Sequence, residues 1–351
     1  MGYGRFLAKK AAFLLVTLVA ALYLTVVISN FGGYLDNILK AQIAFEETRG
    51  CLQDPVCVKL PLDLRNATIA DNIQAAYDRR GLNEPFLQRS IRYTIDLLFF
   101  QLGDATVITS GDGSRDISVI IMERLPRTVL LFTTGSLIAA ALGIWLGLWM
   151  ARKALTPFDR GLTVVSITTT VIPTWVFAIL LILVAFAWPV FPSGGMLTVP
   201  APKDPLAYSA DVLWHMALPL VAVVLSTFGA WSYTTRNLVL QIMDEDYVYA
   251  ARAKGLPEKI VNRRYVLRAA SPPVVTSLAL TLIASWQGAI ITETVFNWPG
   301  LGLLFFVAIS ALDAPVIIGL TAIYAYLLVL TVFILDLIYG LLDPRVKALR
   351  R

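Results

Sequence analysis

Six separate stretches of this sequence are long and apolar enough to cross a membrane, and nothing else in it limits the fold so severely. They are roughly 11–29, 128–150, 162–187, 213–234, 274–296 and 315–339. A bilayer core about 30 Å thick takes about 20 residues of helix. In lipid the backbone must satisfy its own hydrogen bonds, so runs of this length predict helices. The first, Ala11 to Ile28, carries no charge, and Arg5, Lys9 and Lys10 precede it as in a secretion signal. Signal cores, however, run about 7–15 residues and end at small residues. Ser29-Asn30-Phe31 is a poor cleavage site, so this run is expected to be a retained first helix.

Lys and Arg in short loops set the orientation of such a chain. Loop 151–161 has Arg152, Lys153 and Arg160 against Asp159. Loop 235–273 has Arg236, Arg252, Lys254, Lys259, Arg263, Arg264 and Arg268, and the tail has Arg345, Lys347, Arg350 and Arg351. Across the membrane, loop 188–212 has only Lys203 and loop 297–314 has none. The alternation puts both termini and loops 151–161 and 235–273 in the cytoplasm of a multi-pass protein of the plasma (inner) membrane. Segment 30–127 is then outside; long translocated segments escape the rule.

Composition separates that segment from the rest. The chain is 57% hydrophobic and 15% charged, against about 45–50% and about 25% in soluble domains. Yet 30–127 holds 11 basic and 13 acidic residues. A soluble enzyme and a simple secreted binding protein are excluded. The expected architecture is an all-α membrane protein: 1–29 as N-terminus and first helix, 30–127 as a mostly helical extracytoplasmic insert, 128–339 as a five-helix core, and 340–351 as a tail. In the insert, Leu35, Ile38, Leu39 and Ile43 recur at helix spacing, as do Leu87, Ile91, Ile95 and Leu98. At this length the insert is expected to pack on the membrane domain and on an outside partner. Asn66 to Arg80 lacks a strong apolar face, and Gly81 stops it. Cys51 and Cys57 lie in the oxidising compartment, as a small structural disulfide loop or as two free thiols.

Little here does chemistry. His215 is the single histidine, no P-loop or G-x-S-x-G occurs, and Asp104, Asp112 and Asp116 read as a solvated Gly-rich loop rather than a calcium site. No catalytic, cofactor-binding or metal-binding residue and no nucleic-acid partner is expected. Gly143 and Gly147 form a G-x-x-x-G that predicts close helix packing. A carrier, a channel or a transporter subunit remains.

The sharpest signal is D-E-D-Y-V-Y-A-A-R-A-K-G-L-P-E-K-I-V-N-R-R-Y-V-L-R-A-A-S-P-P, residues 244–273. Asp244, Glu245 and Asp246 favour a helix start. Arg252 and Lys254 suit its C-terminus, and Gly255 the left-handed position after it. Pro257 and Glu258 suit the first turn of a second, basic helix, expected to stop before Pro272 and Pro273. Small Ala250, Ala251 and Ala253 let another protein approach closely. The residues alone leave open a basic loop lying on anionic lipid.

A-A-R-A-K-G-L followed by L-R-A-A-S-P-P, between the fourth and fifth apolar runs, resembles the "EAA" loop of permease subunits of ATP-binding-cassette importers. The closer resemblance is to the dipeptide/oligopeptide/nickel-type permeases, over almost the whole chain. E-R-L-P-R-T (123–128), Leu213 to Pro219, E-T-V-F-N-W-P-G-L-G (293–302), D-L-I-Y-G-L-L-D-P-R (336–345) and L-N-E-P-F-L-Q-R-S-I-R-Y (82–93) are each similar to segments of that family. Two features depart from it: Tyr249 stands where the triplet has Glu, and the insert is longer around Cys51 and Cys57.

The resemblance implies a type I importer permease with six transmembrane helices, forming half of a translocation pathway. A second permease, two ATPase subunits carrying ATP and Mg, and an extracytoplasmic binding protein would complete it. Di- or oligopeptides are the first expected cargo, with oligosaccharides or a nickel complex as alternatives. A six-helix secondary carrier lacks the inverted repeats and buried cation site it needs, and a ligand-sensing scaffold is the remaining rival. The resemblance assigns ATPase coupling to Tyr249, Ala250, Ala251, Arg252, Ala253, Lys254, Gly255 and Leu256. For the pathway or gate the candidates are Thr169, Pro173, Thr174, Gln287, Glu293, Thr294 and Trp298. Each has a plainer reading: Glu293 as an interfacial anchor, Gln287 as packing glue, the threonines as partners for backbone freed by Pro173. His215 and Asp336 are expected to be structural.

Overall fold

The structure, a computed structural model, describes residues 3–31, 33–79, 81–188 and 190–342. The basic tail from Arg345 to Arg351 lies outside the described residues. Among these residues the fold is helical, and its only β feature is an isolated bridge between Asp104 and Asp116. The chain divides into two compact units, one of residues 10–122 and 307–329, the other of 1–9, 123–306 and 330–351.

The first unit contains most of α1 (Tyr3–Asn30), then α2 (Tyr34–Gln53), α3 (Pro55–Val58), α4 (Leu62–Arg79) and α5 (Phe86–Leu98). Ile43, Ala76 and Leu82 form a small core where α2 meets α4, and the Tyr77 hydroxyl donates to the Lys40 carbonyl at 3.1 Å. Cys51 and Cys57 are joined in a disulfide, so the last turn of α2 is tied to α3. Asp54 between them caps α3, accepting the Val56 N–H at 2.9 Å. The Asp36–Arg89 ion pair ties α5 to α2. Burial pushes the Asp36 carboxyl above the usual carboxylate range, with Arg89 and Lys40 pulling it back.

The helix read from Leu87, Ile91, Ile95 and Leu98 forms as α5, and its apolar stripe is turned outward: Leu87 is 63%, Ile91 53% and Ile95 48% exposed. Arg89, Ser90 and Thr94 are buried with Leu97 instead. The reason is the set of polar anchors on that face. Besides pairing with Asp36, Arg89 donates to the Leu82 carbonyl at 3.1 Å. The Tyr326 hydroxyl donates to the carbonyls of Leu97 and Leu98 at 3.2 and 2.9 Å, and Phe100 stacks on the Tyr326 ring. Asp313 holds the chain beyond, accepting the N–H groups of Thr106, Val107 and Ile108 at 2.8–3.1 Å.

The second unit is built on α6 (Ile117–Arg152), α7 (Pro157–Val171), α8 (Thr174–Ala187), α9 (Pro205–Met243), α10 (Asp246–Ala253), α11 (Glu258–Ile260), α12 (Leu267–Ala284), α13 (Ile290–Val295), α14 (Leu301–Ser310) and α15 (Ala314–Leu342). The first residues of α6 and parts of α14 and α15 belong to the first unit. Among the described residues of both units, five helices are long and apolar enough to span a membrane, Leu7–Asn30 of the first unit included, and the α7–α8 pair makes a sixth if counted as one span. The apolar runs at 128–150 and 213–234 are the middles of longer helices, α6 and α9. Gly143 and Gly147 do pack closely: a Cβ on Gly143 would lie 2.6 Å from the Phe228 carbonyl oxygen, and one on Gly147 2.6 Å from that of Ser232.

Three boundaries differ from expectation. The run 162–187 bends by 99° between α7 and α8, at Ile172-Pro173. Proline cannot continue the hydrogen-bond ladder, and the residue before it is forced out of helical geometry. The run 274–296 is broken too: α12 ends, a 3₁₀ turn covers Ser285–Gln287, and Gly288 at φ +68° starts a new direction into α13. Conversely, Pro272 and Pro273 do not stop the basic helix. A π-helical segment, Val261–Val266, leads into α12, which carries both prolines. Pro272 leaves the Arg268 carbonyl without its amide partner. The Ser271 hydroxyl donates to that carbonyl at 3.1 Å instead.

Candidate functional site

The short helix α10 sits on the second unit through two residues. Val248 is 0% and Ala251 3% exposed, and they join Ala151 of α6, Val239 and Ile242 of α9, Val261 and Val266 of the π segment, and Ala270 of α12 in one apolar cluster. The opposite face is open. Tyr249 is 75% exposed, and Ala250, Ala253, Lys254 and Gly255 are exposed as well. Arg252 and Leu256 are half-buried. The eight residues assigned to coupling therefore form one element with an anchored face and a presented face.

The corner after α10 is a Schellman motif. Gly255, at φ +74°, donates its N–H to the Arg252 carbonyl at 2.9 Å, and Leu256 donates to the Ala251 carbonyl at 3.4 Å. A Cβ at Gly255 would meet nothing within 4 Å, so backbone angle alone calls for glycine here. Across the corner Arg252 Nε donates to Glu258 Oε1 at 2.9 Å, tying α10 to α11.

Between them α9 and α12 line an open groove of about 490 Å³. Its walls are mostly apolar, with Trp231, Leu238 and Val274 among them, and Tyr233, Asn237 and Gln241 of α9 and Ser277 and Thr281 of α12 supply its hydrogen-bonding groups. None of the pathway candidates read from the sequence lines it. At the base of α7, Asp159 is 1% exposed and holds Arg236 of α9, with Nη2 to Oδ2 at 2.6 Å. Asp159 also accepts the Leu155 N–H at 2.9 Å. The sequence showed Asp159 only as a lone acid among bases.

The pathway candidates lie elsewhere. Thr169 is half-buried, with its hydroxyl on the Ser166 carbonyl at 3.1 Å, and Thr170 shares that acceptor. Neither therefore serves the carbonyl of residue 169, which Pro173 leaves unpaired. Thr174 meets Ser226 Oγ at 2.8 Å, and Pro173 is exposed at the bend. Gln287 is half-buried in the 3₁₀ turn before Gly288, and the Thr294 hydroxyl bonds the Ile290 carbonyl. Glu293 and Trp298 are both 0% exposed. Trp298 Nε1 donates to the Arg127 carbonyl at 3.1 Å. Glu293 Oε2 accepts the N–H groups of Gly302 and Leu303 at 2.7 and 3.1 Å, and its Oε1 accepts the Thr128 hydroxyl at 2.9 Å. Gly300 lies so close that a Cβ there would come within 2.4 Å of Glu293 Oε2. His215 is buried with Nδ1 2.9 Å from the Asp211 carbonyl of its own helix.

An anchored helix with a glycine corner, packed on one of two long apolar helices that line a groove, agrees with a sequence match over residues 143–348 to the family described as "Binding-protein-dependent transport system inner membrane component". The chain belongs to this permease family. The permease is similar to the oligopeptide transport system permease protein AppB of Bacillus subtilis, 30% identical over 273 residues, covering 77% of this chain and 83% of the relative. It is 30% identical over 287 residues to the di/tripeptide transport system permease protein DppB of Pseudomonas aeruginosa, covering 78% and 84% of the two chains. It is 31% identical over 274 residues to the inner membrane ABC transporter permease protein YejB of Escherichia coli O157:H7, covering 76% and 74%. It is thus a transport component of an ATP-driven importer.

Proposed function

We propose that this permease carries di- or oligopeptides, and that the groove between α9 and α12 is its half of the translocation pathway. The cargo rests on the relatives, whose names specify oligopeptide and di/tripeptide transport. The partners are a second permease, two ATPase subunits that bind ATP and Mg, and a binding protein on the opposite face of the inner membrane. Both termini and α10 lie on the ATPase side, in keeping with the Lys and Arg distribution of the loops.

One observation carries the mechanism. The buried face of α10 packs on α9 and on the π segment that leads into α12, and α9 and α12 are the two helices that line the groove. An ATPase that grips Tyr249, Ala250, Ala253 and Lys254 therefore moves an element already packed on the pathway walls. Close-packed interiors transmit such displacements rather than absorb them. When ATP draws the ATPases together, α10 moves and the walls part toward the binding protein. Hydrolysis returns them. Groove residues Tyr233, Asn237, Gln241, Ser277 and Thr281 offer hydrogen bonds that suit peptide amides and carry no charge to discriminate among side chains.

The test is uptake of labelled di- and oligopeptides by vesicles holding the whole complex. Uptake that depends on ATP and the binding protein, and falls on Asn237→Leu, supports the reading. ATP-driven uptake of an oligosaccharide or a nickel complex, with none of peptides, overturns it.

A further inference from the structure

The first unit contains a second cavity, of about 440 Å³, that the transport reading does not use. Its position is distinctive. Val26 and Asn30 come from the last turn of the span Leu7–Asn30, and Pro315 and Ile318 from the first turn of the span Ala314–Leu337. The ends of spans sit at the level of lipid headgroups. The remaining wall carries Arg79, Arg92, Asp96 and Asp104, with Arg92 Nη1 also paired to Glu84 Oε1 at 2.8 Å. Asn30 is 1% exposed, and neither its Oδ1 nor its Nδ2 has a hydrogen-bond partner. A buried amide left unpaired costs about 1–3 kcal/mol, so such a group calls for a partner.

We infer that this cavity binds the headgroup of a zwitterionic phospholipid, one with a phosphate and a primary ammonium. The phosphate faces Arg79 and Arg92, the ammonium faces Asp96 and Asp104, and Asn30 supplies a donor and an acceptor to the ligand between them. With Arg92 shared by Glu84, the acids at the wall at least match the bases, which suits a ligand that carries an ammonium beside its phosphate. The same wall disfavours a purely anionic lipid, which would meet both carboxylates. The apolar part of the wall, with Val26, Leu97 and Ile318, suits the glycerol end of a lipid.

The surroundings favour a membrane lipid over a free zwitterion in water. Helix α5 supplies Arg92, Asp96 and Leu97 to the cavity and turns Leu87, Ile91 and Ile95 away from the unit's interior. Phe99 follows, 69% exposed. An amphipathic helix with an open stripe of this kind lies in a lipid interface. Its end is pinned to Tyr326 of α15, a helix apolar enough to span the membrane.

Native mass spectrometry of the purified full chain, after exchange into detergent with defined lipids, tests this. Phosphatidylethanolamine is expected to be retained over phosphatidylglycerol by about tenfold, the scale of one charge-assisted hydrogen bond. Asp96→Asn with Asp104→Asn is expected to bring the two lipids to parity. Arg79→Gln is expected to weaken retention of both lipids while leaving the helical circular-dichroism spectrum unchanged, and it decides the matter if the double variant fails to fold. Equal retention of the two lipids by the unaltered chain overturns the inference. So does an unchanged preference in the Asp96→Asn, Asp104→Asn variant, or undiminished retention of both lipids by Arg79→Gln. Displacement of phosphatidylethanolamine by millimolar glycylglycine also overturns it, because the site would then take peptide zwitterions from solution.

Discussion

The Thr128 hydroxyl donates to Glu293 Oε1 at 2.9 Å while its oxygen accepts the Leu301 N–H at 2.7 Å, so one side chain on α6 joins α13 to the start of α14. The proton directions follow. Thr128 gives its single hydrogen to Glu293, and one lone pair of the same oxygen takes the Leu301 N–H. Glu293 therefore faces three donors: Thr128, Gly302 N–H and Leu303 N–H. This is a carboxylate holding a helix N-terminus, where negative charge is favoured.

Glu293→Gln puts an amide that both donates and accepts where only acceptors fit. The expected result is a lower thermal midpoint and lower yield of folded chain, from the loss of about 1.5–3 kcal/mol per charged hydrogen bond. Thr128→Val should act in the same direction. Uptake per folded complex should stay near that of the parent. If Glu293→Gln instead leaves the midpoint unchanged and abolishes uptake, Glu293 belongs to the gate and the clamp is secondary.

Gly255 tests the corner after α10. At φ +74°, with open space around the absent Cβ, substitutions should rank by backbone preference alone. Gly255→Asn should retain most peptide-driven ATP hydrolysis, Gly255→Ala less, and Gly255→Val least, since β-branched residues avoid positive φ. Membrane insertion should be unchanged in all three. ATPase assays of the assembled complex read the order, and full activity in Gly255→Val would remove the corner from the mechanism.

Asp159 and Arg236 form an enclosed pair whose partners are of unequal exposure, 1% and 16% for the side chains. Arg236→Ala leaves a buried carboxylate uncompensated, a loss of about 3–5 kcal/mol. It should unfold at much lower temperature than Asp159→Asn, which leaves the more exposed Arg236 to find water. Differential scanning fluorimetry in detergent distinguishes them, and equal midpoints would show the pair to be solvated.

Helix contact in the second unit can be probed at glycines. Gly147→Leu must displace the Ser232 backbone on α9 and should abolish folded protein, whereas Gly161→Ala has nothing within 4 Å and should be neutral. Size-exclusion profiles of the two variants provide the comparison.

The sequence was most legible where one physical term dominates. Length and hydropathy located five helices apolar enough to cross lipid, which leaves the backbone little alternative, and a sixth run that bends at Pro173, but not the extent of the run that ends at Gln287. Gly255 was legible because the left-handed position after a helix selects glycine. Gly143 and Gly147 were legible because small residues four apart permit close approach. The α5 stripe was not, since periodicity shows that a face is apolar and not which phase it meets. Arg89 and Asp36 decide that face, and they are joined across 53 residues. Pro272 misled for a related reason: Ser271 supplies the bond that the proline removes. The polar residues picked out of apolar runs sit at helix ends and bends, where Thr169, Thr294 and Glu293 bond backbone groups, a setting that periodicity does not show. Groove residues such as Asn237 and Gln241 lie near the end of α9, in sequence that reads as part of a basic loop.

The central claim is that α10 is held by Val248 and Ala251 and offered to an ATPase by Tyr249, Ala250 and Lys254. Single cysteines at these five positions, with Cys51 and Cys57 replaced by serine, can be cross-linked to ATPase subunits in the purified complex. Cross-links should form from positions 249, 250 and 254 and be absent from 248 and 251, with nucleotide changing their yield. Cross-links from 248 and 251 but not from 249, in a complex that still imports peptide, would contradict the account.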